Sequence, residues 1–552
     1  MTPLKIVIVG GVAGGASAAA KARRVNESAE ITMFERGPFV SFANCGLPYY
    51  IGDTITDRDD LLLQTPEKFW RRFRVVVKVR HEVLSIQRTV RKVRVKNLES
   101  GDESEVAYDK LILAPGAGAI VPDIPGIPAK NIFTVKTVPD SDAIKQFLAS
   151  HKSRNAIVVG GGFIGLETAE ALVNRGREVT VVELAPQILP PFDRDMAFLM
   201  AAHLQEKGVN IIVGDGLKAF HREKGLIQEV ELNSGRRFPC GLAILSIGVR
   251  PELKLAKDSG LAIGNAGGIV VNEWQQTSDP HIYAAGDAVE ILHLVTGKPT
   301  RIPLAGPANK QGRVAGANAA GGSLRFPGAI GTAIVESLGM TAAKTGLSER
   351  EAKTHHYDYF VSVTHPLDHA DYYPGAEALH MKLIVEKNSG RLLGAQIIGE
   401  QGVDKRIDVL ATAISARMSV EDVEHLDLAY APQFNSAKGP VIMAGFVAAN
   451  ILRGEVNTIT GDELQEKLEA KAPIQLLDVR TAGEYYELHI PQSRLVPIDE
   501  LREHIRQLDP QAETVVYCRV GLRGYLACRI LVQQGFQRVY NLTGGLLSFP
   551  QV

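Results

Sequence analysis

AIVVGGGFIGLETAEALVNRGREVTVVE, residues 156–183, is the stretch whose reading decides the fold. It opens on a short β-branched run without polar alternation, the pattern of a parallel strand buried on both faces. Glycines follow, then a helical stretch, then a second β-branched run ending on Glu183. Gly160, Gly162 and Gly165 fit the spacing G-x-G-x-x-G. The first permits a tight turn, the second lets a pyrophosphate approach the backbone, and the third permits close packing of helix on strand. The helix N-terminus then offers unpaired N–H groups and the positive end of its dipole to that anion. A carboxylate at the end of the next strand accepts ribose hydroxyls and repels a 2′-phosphate. Glu183 therefore favours NADH, with NADPH possible.

The same design stands at the N-terminus. LKIVIV (4–9) is followed by glycines, a helical stretch and EITMFE (30–35). Gly10 and Gly15 hold the outer motif positions, Val12 replaces the middle glycine, and Gly11 and Gly14 lie beside it. Glu35 supplies the ribose-binding acid, with Arg36 next to it counted among the cofactor contacts. Gly286–Asp287 follow the strand-like HIYAA, and an Asp at a helix start there can hold a ribityl hydroxyl. A plain turn is the other reading of Gly-Asp, and the two nucleotide-binding units favour the flavin.

The 552 residues suit about three or four domains. Hydrophobic residues at 45% and charged residues at 22% indicate a soluble globular chain with ample core. Lys+Arg 61 against Asp+Glu 62 leaves no basic excess for nucleic acid. No apolar run approaches the roughly 18 residues that cross a bilayer. Glycines interrupt IVIVGGVAGGASAAA, so it reads as strand, turn and helix rather than as a secretory signal, and the expected location is cytoplasmic. Cys45, Cys240, Cys518 and Cys528 are scattered, the usage of a reducing compartment. No metal site is read.

SFANCGLPYY (41–50), LILAPGA and YAAGDA, in this order with the two glycine motifs, resemble the flavoprotein disulfide reductases with two dinucleotide-binding domains, most closely their coenzyme A-disulfide reductase branch. The resemblance runs from about residue 4 to about 450. It implies FAD in the first domain, NAD(P)H in the second and a homodimer formed by a third. Residues 460–548 resemble a rhodanese domain, through LLDVRTAGEYYELHIP and the six-residue loop CRVGLR (518–523). The expected class is α/β: two Rossmann-like domains, an α+β dimerisation domain and a C-terminal α/β rhodanese domain. The expected boundaries are 1–115 and 251–328 for FAD, 116–250 for NAD(P)H, 329–450 for dimerisation, 451–462 as linker and 463–552 for the rhodanese part.

Cys45 is the foremost catalytic candidate, since a thiolate of lowered pKa attacks sulfur. Related reductases carry a second cysteine close by, whereas Tyr50 stands five positions on, so one sulfur must work with the flavin. A buried apolar Cys is the plain alternative. Tyr372 and Tyr430, in DYYPG and LAYAP, resemble the pair a partner subunit contributes, able to protonate a departing thiolate. Tyr373 competes with Tyr372 for that role. Ser41 and Asn44 flank the thiol as substrate contacts. Lys21, Arg23 and Arg24 lie where the family meets the phosphates of coenzyme A, although such a cluster is also a common solvated helix end. Oxidases and peroxidases of this kind place a His near position 13, where this chain has Ala13.

In the tail, backbone N–H groups of a tight loop can stabilise an anionic sulfur on Cys518, and Arg523 adds positive charge, so Cys518 is expected to be acidic and able to hold a persulfide. Asp478, Arg480, His489, Cys240 and Cys528 read as structural. The leading expectation is a reductase that uses NADH and FAD on persulfides, polysulfides, coenzyme A persulfide or coenzyme A disulfide, with Cys518 carrying sulfane sulfur. The alternatives are a coenzyme A-disulfide reductase with an independent thiosulfate-type sulfurtransferase tail, and a tail that only docks partner proteins.

Overall fold

A computed structural model describes residues 2–151 and 153–550. They pack as two units. One comprises the chain up to Leu189 with Leu204–Gly331, the other Pro190–His203 with the chain from Thr332 onward. Residues 190–203 thus group away from the rest of the 116–250 stretch.

The first unit holds two parallel five-stranded sheets. One has the order Ile282–Ala284, Lys110–Leu113, Lys5–Val9, Glu30–Glu35, Val75–Val79. Its central strand is buried from Ile6 to Val9, as its unbroken apolar run requires. The other has the order Asn210–Val213, Glu178–Glu183, Asn155–Val159, Leu242–Leu245, Ile132–Phe133. From the two central strands the chain turns on glycine into helix α1 (Ala13–Val25) and helix α2 (Phe163–Asn174). Helix α3 (Ala305–Ala319) crosses α1 at backbone contact: a Cβ on Gly312 would collide with the Gly14 carbonyl, and one on Gly316 with that of Ala18.

The second unit holds an antiparallel five-stranded sheet, Ala333–Ser337, Met340–Gly346, Leu392–Gly399, His380–Glu386, Tyr359–Thr364, and a parallel one, Asn457–Ile459, Val539–Leu542, Glu513–Tyr517, Ile474–Asp478, Arg494–Leu495. The stretch 451–462 is therefore not a free linker. Its Thr458 and Ile459 pair with Asn541 and Leu542 as an edge strand, and Thr460 with Glu463 forms a capping box that starts helix Gly461–Glu469. The two sheets are joined directly: Val363 N–H donates to Thr543 Oγ1 at 2.9 Å. His365 Nε2 lies 3.0 Å from the Gly544 carbonyl and 3.1 Å from Ser548 Oγ, and its Nδ1 lies 2.7 Å from His380 Nδ1. Among the described residues no helix is long and apolar enough to cross a membrane.

Candidate active site

Both glycine turns have the same internal architecture. Gly10 (φ +92°) and Gly160 (φ +107°) take backbone angles that disfavour a side chain, and a Cβ on either would strike the next strand's end at Ala114 or Ser246. Gly15 and Gly165 lie against the carbonyls of Gly10 and Gly160, where a Cβ has no room. Gly162 faces open space, as a position approached by phosphate should. Glu35 receives the N–H of Gly11 at 2.8 Å and of Gly37 at 2.7 Å, one on each oxygen. Glu183 likewise receives the N–H of Gly161 at 2.7 Å and of Ala185 at 2.8 Å. Each carboxylate is aimed by the backbone and keeps lone pairs for ribose hydroxyls.

A cavity opens over the first turn. Gly10, Gly11, Val12, Ala13, Gly14, Glu35, Arg36, Asn44, Lys136, Gly286 and Asp287 are among its lining. Arg36 also pairs with Glu252 at 3.2 Å. Val12 in the middle motif position leaves this cavity open. Gly286 (φ +89°) is fixed by Gln311 Oε1, which accepts its N–H at 2.7 Å, and brings Asp287 to the wall. Burial raises the Asp287 carboxyl, with Lys136 opposing. Asn44 Oδ1 is buried at the wall with no hydrogen-bond partner. A glycine cradle, an aimed acid and an orphaned amide oxygen fit a bound FAD.

Cys45 follows Asn44 on a single 3₁₀ turn, Asn44–Gly46, that leads into the short helix Leu47–Ile51. It is exposed, and all four cysteines are free thiols. Ser41 (φ +47°) anchors the segment by donating its N–H to the Gly11 carbonyl at 2.8 Å. The protein's own groups do not lower the Cys45 thiol, contrary to expectation. Burial raises it, the carboxylates of Glu167 and Asp287 add to the rise, and Lys136 opposes. Glu167 on α2 went unread in the sequence. It accepts a hydrogen bond from Tyr49 at 3.3 Å, and burial pushes its carboxyl up to about 7, with Tyr49 opposing and Glu170 adding to the rise.

Of the three basic residues expected at the coenzyme A phosphates, Arg23 has another task. It is 6% exposed, and its five N–H groups donate to the carbonyls of Phe73 (2.7 Å), Asn26 (3.2 Å), Ala29 (2.8 Å), Arg74 (3.1 Å) and Glu27. It ties the end of α1 to the end of helix Pro66–Phe73. Arg24 is exposed and Lys21 half-buried, and the tie brings exposed Arg71 and Arg72, unread before, to the same corner.

In the second unit Tyr372 and Tyr430 stand 74% and 50% exposed, their hydroxyls 2.8 Å apart, and this bond raises the Tyr372 phenol. Tyr373 instead packs edge-on against His369, 5.7 Å between ring centres. Buried Arg406, also unread, braces both tyrosine loops by donating to the carbonyls of Asp368 and Phe434.

In the tail Cys518 is fully buried, and its Sγ accepts the N–H of Gly521 at 3.1 Å, at the entry to helix α4 (Leu522–Gln533). Arg523 is not a free charge. Glu484 takes it at 2.6 and 2.8 Å, and this bond holds the Glu484 carboxyl down at about 2. Asp478 and Arg480 form a buried ion pair at 2.7 Å. Cys528 and Cys240 lie in apolar cores, where burial raises both thiols.

Two dinucleotide folds, an antiparallel sheet and a parallel sulfur-loop unit define an oxidoreductase that couples nucleotide cofactors to sulfur chemistry. The chain belongs to the pyridine nucleotide-disulphide oxidoreductase family, whose model matches residues 4–312, with the family's dimerisation domain at 335–440 and a rhodanese-like domain at 460–551. The family is FAD- and NAD(P)H-dependent. The coenzyme A disulfide reductase of Staphylococcus haemolyticus is 35% identical over 456 residues, 81% of this chain and 100% of its own. The NAD(P)H coenzyme A polysulfide/persulfide reductase of Pyrococcus horikoshii is 35% identical, covering 80% of this chain and 97% of its own. Two solved structures span both modules. Reduced CoADR-RHD of Bacillus anthracis is 45% identical with a TM-score of 0.95, covering 99% of this chain and 98% of its own. A NAD-dependent persulfide reductase from A. fulgidus is 38% identical with a TM-score of 0.92, covering 99% of this chain and 100% of its own.

Proposed function

We propose that this protein is an NADH-dependent reductase of persulfides and polysulfides, coenzyme A persulfide among them, working through Cys45 alone, with Cys518 carrying sulfane sulfur. The observation that carries the reading is an exposed thiol directly after Asn44 of the cavity wall, on Asp287's side of the first glycine turn, in a segment where no second cysteine follows. Gly10–Gly15 and Glu35 would hold FAD, which would supply the two electrons that sulfur reduction needs, and Gly160–Gly165 with Glu183 would hold the NADH from which they come.

The chain's residues do the rest. The Cys45 thiolate attacks the outer sulfur of R–S–SH, a Cys45–S bond forms, the substrate S–S bond breaks, and RS⁻ leaves. Tyr372 and Tyr430, brought by a partner subunit, donate the proton that makes RSH. Two electrons then cleave Cys45–S–SH into the thiolate and HS⁻. Ser41 and Asn44 orient the sulfur, while Lys21 and Arg24 with Arg71 and Arg72 receive the phosphates of a coenzyme A carrier. The exposed aromatic group Tyr372, Tyr373, Tyr430 and Phe434 supports a homodimer that covers it.

The second reading keeps coenzyme A disulfide as substrate and gives the tail an independent thiosulfate activity. The pairing of Arg523 with Glu484 weighs against it, since the guanidinium that faces Cys518 is shared with a carboxylate and offers a dianion less net charge. The test supplies persulfide, coenzyme A disulfide and thiosulfate to the wild type, Cys45→Ser and Cys518→Ser. Persulfide-dependent NADH oxidation should vanish in Cys45→Ser, and Cys518→Ser should slow transfer from sulfane donors. Wild-type persulfide rates in Cys45→Ser would end the proposal, and wild-type behaviour of Cys518→Ser with every donor would end the carrier role.

A further inference from the structure

We infer that His365, on the antiparallel sheet of the dimerisation domain, is a positioning residue for the sulfur loop of the tail: it grips Gly544 and Ser548, and the segment between them holds the backbone that aims Cys518. The inference rests on Cys518 as a sulfane carrier and names a residue outside the rhodanese-like stretch on which that carriage depends.

The need for a grip follows from burial. Cys518 is fully buried, so the loop's own N–H groups rather than water must stabilise an anionic sulfur. Gly521, at φ +100°, points its N–H at Sγ from 3.1 Å. The Gly521 carbonyl accepts from Asn541 Nδ2 at 3.1 Å. The carbonyls of Cys518 and Arg519 accept the N–H of Leu546 at 2.8 Å and of Leu547 at 3.2 Å. Contact there is close enough that a Cβ on Gly545 would fall 2.4 Å from the Cys518 oxygen and 2.7 Å from that of Arg519. Residues 541–547 are thus the floor of the sulfur loop, and a shift of that floor moves the cysteine.

The dimerisation sheet holds the same floor from the other side. Val363 donates its N–H to Thr543 Oγ1 at 2.9 Å, and a Cβ on Gly544 would fall 2.8 Å from Val363 Cγ1. His365 Nε2 lies 3.0 Å from the Gly544 carbonyl and 3.1 Å from Ser548 Oγ. A carbonyl only accepts, so Nε2 carries the proton. Burial, then His380, push His365 down to about 3, with the Gly544 carbonyl opposing, and burial lowers His380 too, so both rings are neutral at neutral pH. The neutral His365 ring therefore has a bare Nδ1, which accepts the Nδ1–H of His380 at 2.7 Å. His380 on the neighbouring strand fixes the tautomer, and His365 passes that constraint on to Gly544 and the floor.

The test measures sulfur transfer by the full, FAD-loaded chain in a Cys45→Ser background, so that Cys45 takes no part. The probe is benzenethiosulfonate, a monoanion whose terminal sulfur passes to the Cys518 thiolate, giving Cys518–S–S⁻ and benzenesulfinate. Cyanide then removes that sulfur as thiocyanate and restores the thiolate. Thiocyanate is read as its ferric complex. His365→Phe keeps a ring without an N–H and should lower kcat about tenfold at unchanged KM for the donor, the worth of one buried hydrogen bond. His365→Gln keeps an N–H for the Gly544 carbonyl and should stay within about twofold of the parent. A ring needed only for packing predicts the reverse order of these two variants. Thr543→Val removes the acceptor of the Val363 N–H, should lower kcat about threefold, and carries the test if His365→Phe does not fold. Parent kcat in His365→Phe, or in Thr543→Val where only that variant folds, overturns the positioning role, as does a Gln variant slower than the Phe variant. Parent rates in Cys518→Ser, made in the same background, mark instead a failure of Cys518 as the carrier.

Discussion

Replacing Arg23 by Met should unfold the corner of the first domain rather than weaken substrate binding. The guanidinium serves five carbonyls, of which that of Ala29 is fully buried and the others partly so. A hydrogen bond from a charged donor contributes about 1.5–3 kcal/mol net, and an orphaned buried carbonyl costs about 1–3 kcal/mol. Water can reach the partly buried carbonyls, so about two of the five losses count in full, which gives about 3–5 kcal/mol. For a unit of this size that corresponds to roughly 5–10 °C in Tm. Arg24→Ala, at an exposed position one residue on, should leave Tm within about 1 °C and raise KM for a coenzyme A-linked substrate about fivefold, the worth of ~1 kcal/mol. Thermal unfolding followed by circular dichroism and steady-state kinetics on both variants provide the readout. An Arg23→Met protein with wild-type Tm and a raised KM would refute the structural role and restore the phosphate role read from sequence.

Gly312→Ala should force α3 off α1 at the turn that cradles the first nucleotide, costing about 1–3 kcal/mol and lowering FAD retention on gel filtration. Gly306→Ala on the same helix, where a Cβ meets open space, should keep FAD and gain stability. Burial, then His380, hold His365 down at about 3, with the Gly544 carbonyl opposing. A base depressed on folding supports the folded state fully above its free value of about 6.5 and loses that support as pH falls toward 3, so about 2 kcal/mol should go between pH 6.5 and 5. Hydrogen exchange at Val363 should report this loosening, and His365→Gln should flatten its pH dependence. Tyr372→Phe and Tyr430→Phe should each lower kcat for persulfide with the NADH Kd unchanged, and the double variant should lose about 10²-fold. Equal kcat in the double variant would remove the phenols from the proton path.

The glycine turns and strand-end acids were legible because their requirements are local: a positive φ, a missing Cβ and a terminal carboxylate recur at fixed spacing. The linker 451–462 was misread because three residues of edge strand are too short for periodicity to reveal, although the Thr460–Glu463 cap was visible in the letters. Arg23 could not be told from Arg24, since which of two neighbouring cations meets the carbonyls of residues 73 and 74 is settled only by the packing of two helices. Glu167 looked like any helical glutamate until Tyr49 was placed beside it. Glu484 was equally silent about Arg523, 39 residues away. The direction of the Cys45 shift was missed for the same reason: the nearby carboxylates come from other segments of the chain.

Because Glu183 is already bound by the amides of Gly161 and Ala185, the acid read from sequence as the selector between coenzymes is also a brace of its own loop. A designer who swaps it for a neutral or basic residue to admit a phosphorylated coenzyme would slacken the loop at the moment of widening it. Conversion of this scaffold therefore calls for rebuilding the bend from Gly161 to Ala185 as one piece, with a new acceptor for both amides installed before selectivity is changed.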